Sequence, residues 1–209
     1  MKRLRIVGLT GQTGAGKSTV CKILENNGYV IIDADKVSHE ITDTNKNCLC
    51  DLVMKFSCII LNADGTLNRK KLASIVFSDK KNLNTLNKTI LPYIIDEINR
   101  RLEQYGSSSE FNIAVLDAPT LFESGFDKQC DAVVSVIADK ETRLARIIKR
   151  DGLSEKEALE RINAQNDEEF YTSSSNYIIK NDVDPASLVS QVISLFNEIK
   201  KELSPDPIN

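Results

Sequence analysis

A glycine-rich segment close to the start of this 209-residue chain limits its fold more than any other feature. Residues 11–18 read Gly-Gln-Thr-Gly-Ala-Gly-Lys-Ser and fill every fixed position of the pattern G-x-x-x-x-G-K-[ST]. An apolar run at residues 4–9 precedes the segment, and a helical pattern at residues 17–27 follows it. Glycines let the backbone wrap around an anion with its N–H groups, so this strand–loop–helix order predicts a phosphate-binding loop. The alternative interpretation is a glycine-rich turn that binds nothing.

Two side chains of this loop and one beyond it predict how a nucleotide and its metal ion are bound. Lys17 is expected to reach the β- and γ-phosphates of ATP, and the Ser18 hydroxyl to hold Mg²⁺. Asp117 ends an apolar run at residues 111–116, where a second metal carboxylate lies beside such a loop. We expect Asp117 to hold Mg²⁺ directly or through water, with a turn or helix-capping role as the alternative. The predicted ATP-binding residues of this segment are Gly11, Gln12, Thr13, Gly14, Ala15, Gly16, Lys17, Ser18 and Thr19.

Short apolar runs alternate with helical patterns along the chain. After the first strand, strands are predicted at residues 29–32, 111–116, 132–137 and 177–179. Ser154 with Glu157 predicts a capping box at the start of a helix, and Asp184-Pro185 predicts the start of the last one. Strands separated by helices imply right-handed crossovers, so the predicted class is α/β with about five parallel strands. The unusual feature is a mostly helical stretch at residues 36–104.

Composition argues against several partners and sites. The net charge is −3 and the pI about 5.4, so no basic field predicts binding to nucleic acid or to an anionic membrane. The start Met1-Lys-Arg is basic, but the apolar run behind it, Ile6–Leu9, is too short for a signal peptide or a membrane span. Five cysteines are present, but with a single histidine, His39, a zinc site is not expected. We interpret the cysteines as reduced packing thiols of a cytoplasmic protein.

Two classes of nucleotide-binding protein remain: a kinase for a small molecule, and a regulatory or mechanical NTPase that hydrolyses its nucleotide. The N/T-K-x-D motif with which guanine-specific switches read the base is not found. Asp33-Ala-Asp35 follows the second predicted strand, so at least one carboxylate should face the crevice at the strand ends. There it could accept the proton of an alcohol as the γ-phosphoryl group leaves ATP. The alternative interpretation makes Asp33 and Asp35 a turn and a helix N-cap.

A set of arginines predicts a lid over the transferred phosphate. Arg143, Arg146 and Arg150 fall at i, i+3 and i+7 of a predicted helix and therefore share one face. Mobile arginines that close over the phosphoryl group would stabilise its charge and exclude water. A solvated basic face near the helix C-terminus is the alternative.

With these residues, the chain resembles the dephospho-coenzyme A kinase family from the first strand to about Asn181. The phosphate loop is shared by many kinases, but the ordered series of the other blocks is much more specific. The blocks are Gly8-Leu-Thr-Gly11 with Gly16-Lys-Ser-Thr19, Asp33-Ala-Asp35 with His39-Glu40, Gly65-Thr-Leu-Asn-Arg69, Asp117-Ala-Pro-Thr-Leu-Phe-Glu123, Arg146-Ile-Ile-Lys-Arg150-Asp151, Arg161-Ile162 with Gln165, and Ile179-Lys-Asn181.

This resemblance implies transfer of the ATP γ-phosphate to the ribose 3′-hydroxyl of dephospho-coenzyme A, the last step of coenzyme A synthesis. It implies that Asp33 is the base, and that Arg146 and Arg150 are the lid arginines. It also implies that Asn181 lies near the adenine of ATP. Residues 36–104 become a helical acceptor-binding insertion, and residues 139–165 a short helical lid, within a single P-loop kinase domain at 1–209.

The resemblance also implies acceptor contacts for His39 and Arg69. A helix-surface position is the alternative for His39, and an N-terminal helix residue paired with an acid is the alternative for Arg69. The chain departs from the family where Leu91 replaces a usual histidine, which removes a polar contact in the acceptor region. The role of Glu123 does not follow from the sequence.

The sequence therefore predicts a monomeric, cytoplasmic enzyme that uses ATP and Mg²⁺ to phosphorylate dephospho-coenzyme A. A nucleoside or nucleoside-monophosphate kinase would have a similar core and is the first alternative. A non-kinase NTPase switch is the second.

Overall fold

The computed structural model describes residues 5–77, 79–106, 113–182 and 184–203, and within these ranges the strands form one five-stranded sheet. The strands are β1 (Arg5–Gly11), β2 (Val30–Asp33), β3 (Ile113–Asp117), β4 (Ala132–Ile137) and β5 (Tyr177–Lys180). The helices are α1 (Lys17–Asn26), α2 (Ala34–Thr44), α3 (Lys46–Phe56), α4 (Arg69–Phe77), α5 (Lys80–Gly106), α6 (Leu121–Ser124), α7 (Lys140–Asp151), α8 (Glu155–Asn163), α9 (Glu168–Ser174) and α10 (Pro185–Leu203).

The strand order is β2-β3-β1-β4-β5, with β1 at the centre. β1 pairs in parallel with both β3 and β4, and β4 pairs in parallel with β5. The register sets Leu9 opposite Asp117 and Gly11 opposite Val136. The glycine-rich loop therefore begins at the carboxyl end of the central strand, beside the last residue of β3. The predicted α/β fold with about five parallel strands is confirmed.

One apolar core holds the sheet to two of its helices. β4 is buried at every position, because a strand covered on both faces presents no side to solvent. α1 and α10 contribute residues at helical spacing to this core, and Tyr29 meets Phe196 edge to face with ring centroids 5.3 Å apart. The α10 residues in the core are Leu188, Val192, Phe196 and Ile199. This packing fixes the direction in which α1 leaves the loop.

The predicted element boundaries hold within a few residues. β4 spans Ala132–Ile137 as predicted, and the predicted capping box of Ser154 with Glu157 is present at the start of α8. Residue 4 of the predicted first strand and residues 111–112 of the predicted third lie outside the described residues. Two short helices, α6 and α9, were not predicted from the sequence.

The chain divides into two compact units, of which one comprises Met1–Ile32 with Gly106–Asn209 and the other Asp33–Tyr105. The second unit is mostly helical, as expected from its sequence, and contains α2, α3, α4 and most of α5 with a short 3₁₀ turn at Cys58–Ile60. Asp33 caps α2 by accepting from Lys36 N at 2.9 Å. Asn45 caps α3 by accepting from the backbone N–H groups of Asn47 and Cys48, each at 3.0 Å. The acceptor-binding role of this unit remains a prediction.

All five cysteines are free thiols. Cys21 and Cys48 are buried, whereas Cys50 and Cys58 are exposed. Burial raises the pKa of Cys130 to about 12, which leaves this thiol protonated at neutral pH.

No helix within the described part of the chain combines the length and the apolar character that crossing a membrane requires.

Candidate active site

The glycines of the loop after β1 are required by close backbone approaches. A Cβ on Gly11 would lie 2.2 Å from the carbonyl oxygen of Val136 on β4, which no side chain can tolerate. Gly16 has φ 94°, in the left-handed region that favours glycine, and its Cβ would lie 2.2 Å from Asn181 Nδ2. The loop is thus wedged between β4 and the end of β5. It leads into α1 at Lys17, so the helix N-terminus supplies N–H groups for an anion.

Asn181, the residue after β5, supports the glycine-rich loop. Its side chain is buried, and its Nδ2 donates to the carbonyl oxygen of Ala15 at 2.7 Å. Arg146 reaches the same two residues: Nη2 donates to the Asn181 carbonyl at 3.0 Å and Nη1 to the Ala15 carbonyl at 3.3 Å. These contacts tie β5, the loop and α7 together. The predicted position of Asn181 near adenine remains a prediction.

Lys17 and Asp117 form an ion pair at the carboxyl edge of the sheet. Lys17 is the first residue of α1, and Asp117 is the last residue of β3. Both side chains are mostly buried, with 16% and 17% of their surface exposed. The thiol of Cys21 lies on the next turn of α1, and its burial, together with the negative charge of Asp117, raises its pKa. Lys17 therefore already faces the carboxylate predicted to bind the metal.

The residues predicted to hold Mg²⁺ fit that ion. Ser18 is the second residue of α1 and is exposed, and the Asp117 carboxylate lies at the end of β3. Hydroxyl and carboxylate oxygens are hard ligands, and Mg²⁺ in phosphate-transferring sites takes few protein ligands and keeps several waters. The described residues contain no cluster of three or more His, Cys, Asp or Glu that could hold a metal ion.

A cavity of about 690 Å³ lies over the loop. Its lining residues are Gly11, Gln12, Thr13, Gly14, Gly16, Lys17, Ser18, Pro119, Arg146, Lys149, Arg150, Arg161 and Gln165. Five of these carry a positive charge, and none of the described lining residues is acidic. Backbone N–H groups and clustered cations form a site for a polyphosphate. Lys149 and Arg161 were not among the predicted site residues.

The two predicted lid arginines differ in their contacts. Arg146 is held against the loop, whereas Arg150 is 56% exposed and makes a two-point contact with Asp151, at 2.7 and 2.8 Å. Arg143 was predicted to share their face, but it is buried, and its Nε donates to the Ala138 carbonyl at 3.0 Å. The arginine face therefore contains two of the three residues, because Arg143 packs inward at the end of β4.

The segment between α8 and α9 makes contacts that sequence reasoning missed. Gln165 Oε1 accepts from the backbone N–H of Thr13 in the loop at 2.6 Å. The next residue, Asn166, donates through Nδ2 to Glu123 Oε1 at 3.0 Å. Glu123, whose role did not follow from the sequence, thus anchors the segment between α8 and α9. Gln165 belongs to the blocks that carry the family resemblance, which is the one signal that could have identified it.

The aromatic rings beside this anchor strengthen it. Phe122 of α6 packs edge to face against Phe170 of α9, with ring centroids 5.3 Å apart, and Phe170 does the same against Tyr171 at 5.5 Å. α6 and α9, the two helices that were not predicted, therefore pack against each other beside the segment that follows α8.

The remaining predicted site residues, Asp33, His39 and Arg69, belong to the second unit. Asp33 ends β2 and is exposed, and it also caps α2. His39 is exposed on α2. Arg69 begins α4, and its Nη2 donates to the His39 carbonyl at 3.0 Å and to Asp43 Oδ1 at 2.7 Å. This geometry matches the alternative for Arg69, a helix N-terminal residue paired with an acid.

Comparisons with known proteins show the family to which this chain belongs. The family model for dephospho-CoA kinase matches residues 5–186. The dephospho-CoA kinase of Lactobacillus johnsonii is 34% identical over 193 residues, which cover 92% of this chain and 97% of that protein. A crystal structure from Thermus thermophilus matches at a TM-score of 0.77 and 29% identity, covering 98% of this chain and 100% of that one. The dephospho-CoA kinase structure from Campylobacter jejuni matches at 0.67 with the same identity and coverage. This chain belongs to the dephospho-CoA kinase family.

Proposed function

We propose that this chain transfers the γ-phosphate of ATP to the ribose 3′-hydroxyl of dephospho-coenzyme A and so forms coenzyme A. The observation that carries the proposal is the cavity over the glycine-rich loop, which five cationic side chains line. The family membership, which extends over most of the chain, supplies the acceptor.

The residues of the loop bind and orient the triphosphate. Its N–H groups and the start of α1 hold the phosphates, and Lys17 exchanges its contact with Asp117 for the β- and γ-phosphate oxygens. Ser18 and Asp117, the latter directly or through water, would hold Mg²⁺, which would neutralise part of the negative charge of the triphosphate. Arg146 and Arg150 face the equatorial oxygens, where negative charge spreads during transfer.

Asp33 accepts the proton of the acceptor hydroxyl. As the bond from the 3′ oxygen to the γ-phosphorus forms, the bond from phosphorus to the β–γ bridging oxygen breaks, and ADP leaves with that electron pair. The position of Asp33 at the carboxyl end of β2 supports this role, because ligands of parallel α/β sheets bind outside those strand ends. Its side chain is exposed and available for this proton.

The helical stretch at residues 36–104 binds the acceptor in this proposal, and residues 139–165 form the lid. His39 is an acceptor contact, supported by its exposure on α2. Arg69 is the second acceptor contact, and its present pairing with Asp43 is an exposed ion pair that an anionic ligand can displace at small cost. Asn181 is assigned to ATP binding because its side chain donates a hydrogen bond to the Ala15 carbonyl and so supports the phosphate-binding loop.

We further propose that the enzyme acts as a cytoplasmic monomer and binds no nucleic acid. The five free thiols suit a reducing compartment, and the net charge of −3 gives no basic field for a polyanion. Light scattering coupled to gel filtration tests the monomer, since a mass near 47 kDa, twice the chain's 23.3 kDa, would contradict it.

The deciding experiment measures ADP release from ATP and Mg²⁺ with dephospho-coenzyme A, nucleosides or nucleoside monophosphates as acceptor. Release that requires dephospho-coenzyme A and yields coenzyme A supports the proposal. Release with another acceptor alone would assign the chain to nucleoside or nucleotide phosphorylation instead. Release indifferent to every acceptor would indicate a hydrolytic NTPase switch and remove the role given to Asp33.

A further inference from the structure

Asp151 joins the two helices of the lid at the rim of the phosphate cavity. It is the last residue of α7, and its Oδ1 and Oδ2 accept from Nε and Nη2 of Arg150 at 2.7 and 2.8 Å. Oδ2 also accepts from Nη1 of Arg161 on α8, at 2.8 Å. Arg150 and Arg161 both line the cavity, whereas Asp151 itself does not. One carboxylate therefore fixes two of the five cations that surround the phosphate site.

The position of this carboxylate is unfavourable for the helix that carries it. Carbonyl groups at a helix C-terminus give that end partial negative charge, so an acidic residue there weakens the helix. The two arginines are more than half exposed, and exposed ion pairs contribute little to folding. The α7–α8 hairpin has other supports, namely Gly152 at φ 66° after α7 and the apolar contact of Ile147 with Ala158 and Ile162. Stability alone does not explain why an acid stands here.

The bonding pattern leaves both arginines able to bind a phosphate. A guanidinium group has five N–H donors in one plane. Arg150 uses two of them on Asp151 and keeps three, and Arg161 uses one and keeps four. A two-point contact fixes the plane of the Arg150 guanidinium, so the remaining donors point in a defined direction. The hydrogen bonds from Arg150 lower the pKa of Asp151, which keeps the carboxylate ionised at neutral pH.

We propose that Asp151 is a positioning residue, which orients Arg150 and Arg161 toward the phosphoryl group as it is transferred. This inference rests on the proposed ATP-dependent transfer and adds to it a residue that touches neither substrate. Arginines held in advance stabilise the charge of the transition state without the entropy cost of ordering flexible side chains.

The effect of the Asp151 charge on ATP affinity distinguishes a positioning role from a purely structural one. Asp151→Asn removes a negative charge beside the cavity but keeps the size of the side chain. Bound ATP then meets one more net positive charge, so its affinity stays equal or rises. The arginines lose their two-point hold, so kcat falls by about 10-fold or more. A residue needed only for folding would lower ATP affinity and kcat together.

The experiment compares kcat, the ATP affinity and the thermal unfolding midpoint of wild type, Asp151→Asn, Asp151→Glu and Glu160→Gln. Glu160 is an exposed acid on α8 next to Arg161, so its replacement is the matched change in charge and is expected to leave kcat unchanged. Asp151→Glu keeps the charge but displaces the carboxylate, so kcat should fall less than in Asp151→Asn at unchanged ATP affinity.

Three outcomes would overturn the positioning role. They are a kcat of Asp151→Asn that is unchanged or increased, an ATP affinity that falls in parallel with kcat, and an equal loss of kcat in Glu160→Gln. The ATP-binding measurement needs no acceptor, so its result does not depend on whether the proposed acceptor is correct. A wild-type enzyme that fails to phosphorylate dephospho-coenzyme A would refute the substrate assignment, not the hold on the arginines.

Discussion

The side-chain nitrogen of Asn181 lies 2.7 Å from the carbonyl oxygen of Ala15, in the space that a Cβ on Gly16 would need. The loop and the end of β5 are therefore fitted to each other at one backbone position. An amide donor and a glycine, far apart in the sequence, together set the shape of the anion site. The first two predictions separate their contributions.

Gly16→Ala is expected to abolish measurable ATP binding, or to weaken it by more than about 10-fold, because a left-handed alanine costs about 1–3 kcal/mol before the clash with Asn181 is counted. Gly28→Ala is the matched control. Gly28 also has a left-handed φ of 80°, but nothing lies within 4 Å of its added Cβ. It should lower the unfolding temperature and leave ATP affinity unchanged. Equal ATP affinities of the two variants would contradict the fitted contact.

Asn181→Ala should weaken ATP and inorganic tripolyphosphate by the same factor, about 3- to 10-fold, the loss of one buried hydrogen bond. The reason is that Asn181 shapes the loop that binds phosphates, which both ligands share. Calorimetric titration with each ligand gives the two factors. A loss confined to ATP would instead assign Asn181 to the adenine base.

Lys17→Ala should weaken ATP binding by about 10- to 100-fold, because a charge-assisted contact to the phosphates is lost. It should also lower the unfolding temperature without nucleotide, since Asp117 is mostly buried and would lack its partner. Lys22→Ala, on an exposed position of α1, is the control for the loss of one cation. Unaltered ATP affinity in Lys17→Ala would refute the assignment of the loop.

Asp33→Asn should lower kcat by about 10²-fold or more, because the acceptor hydroxyl loses its base. Asparagine caps helices as well as aspartate does, so the bond to Lys36 N and the stability should persist. ATP affinity should therefore stay near the wild-type value. Asp35→Asn serves as the comparison. A larger loss of kcat there would transfer the role of base to Asp35.

Glu97 gives the helical unit a stability that depends on pH. Hydrogen bonds from Arg100 at 2.6 Å and Arg101 at 2.8 Å lower its pKa to about 2, from 4.5. A depressed folded pKa means that the stabilisation is complete above pH 4.5 and disappears as the pH falls toward 2. Glu97→Gln should thus lose about 1 kcal/mol of unfolding free energy at pH 7 and progressively less below pH 4.5.

Urea unfolding at several pH values measures this difference. A Glu97→Gln deficit that is constant from pH 7 to pH 3 would contradict the ion-pair account.

The residues that the sequence predicted well are those whose role is local. The loop motif and the mostly apolar β4 each carry their signal within fewer than ten residues, so they could be predicted without knowing the fold. α6 and α9 have four and seven residues, too few for a helical period to show. The bond from Thr13 N–H to Gln165 joins positions 152 apart, and no local pattern encodes such a pair.

Arg143 shows a different limit. It lies about 20° from Arg150 on the helical wheel, but about 10 Å away along the axis. Angular position predicted a shared face, whereas position along the axis decided burial: Arg143 lies beside the end of β4 and Arg150 beyond it. A helical period gives direction but not distance from the sheet.

The distribution of thiols makes this chain suitable for selective labelling with a thiol-reactive dye. The two exposed cysteines, Cys50 and Cys58, both belong to the unit Asp33–Tyr105, whereas Cys21 is buried and Cys130 has a pKa of about 12. A maleimide dye at neutral pH would therefore attach to the helical unit and spare the nucleotide-binding one. The chain contains no tryptophan, so a single tryptophan introduced beside the cavity would be the sole energy donor. Its emission would then report the binding of ATP at the cavity.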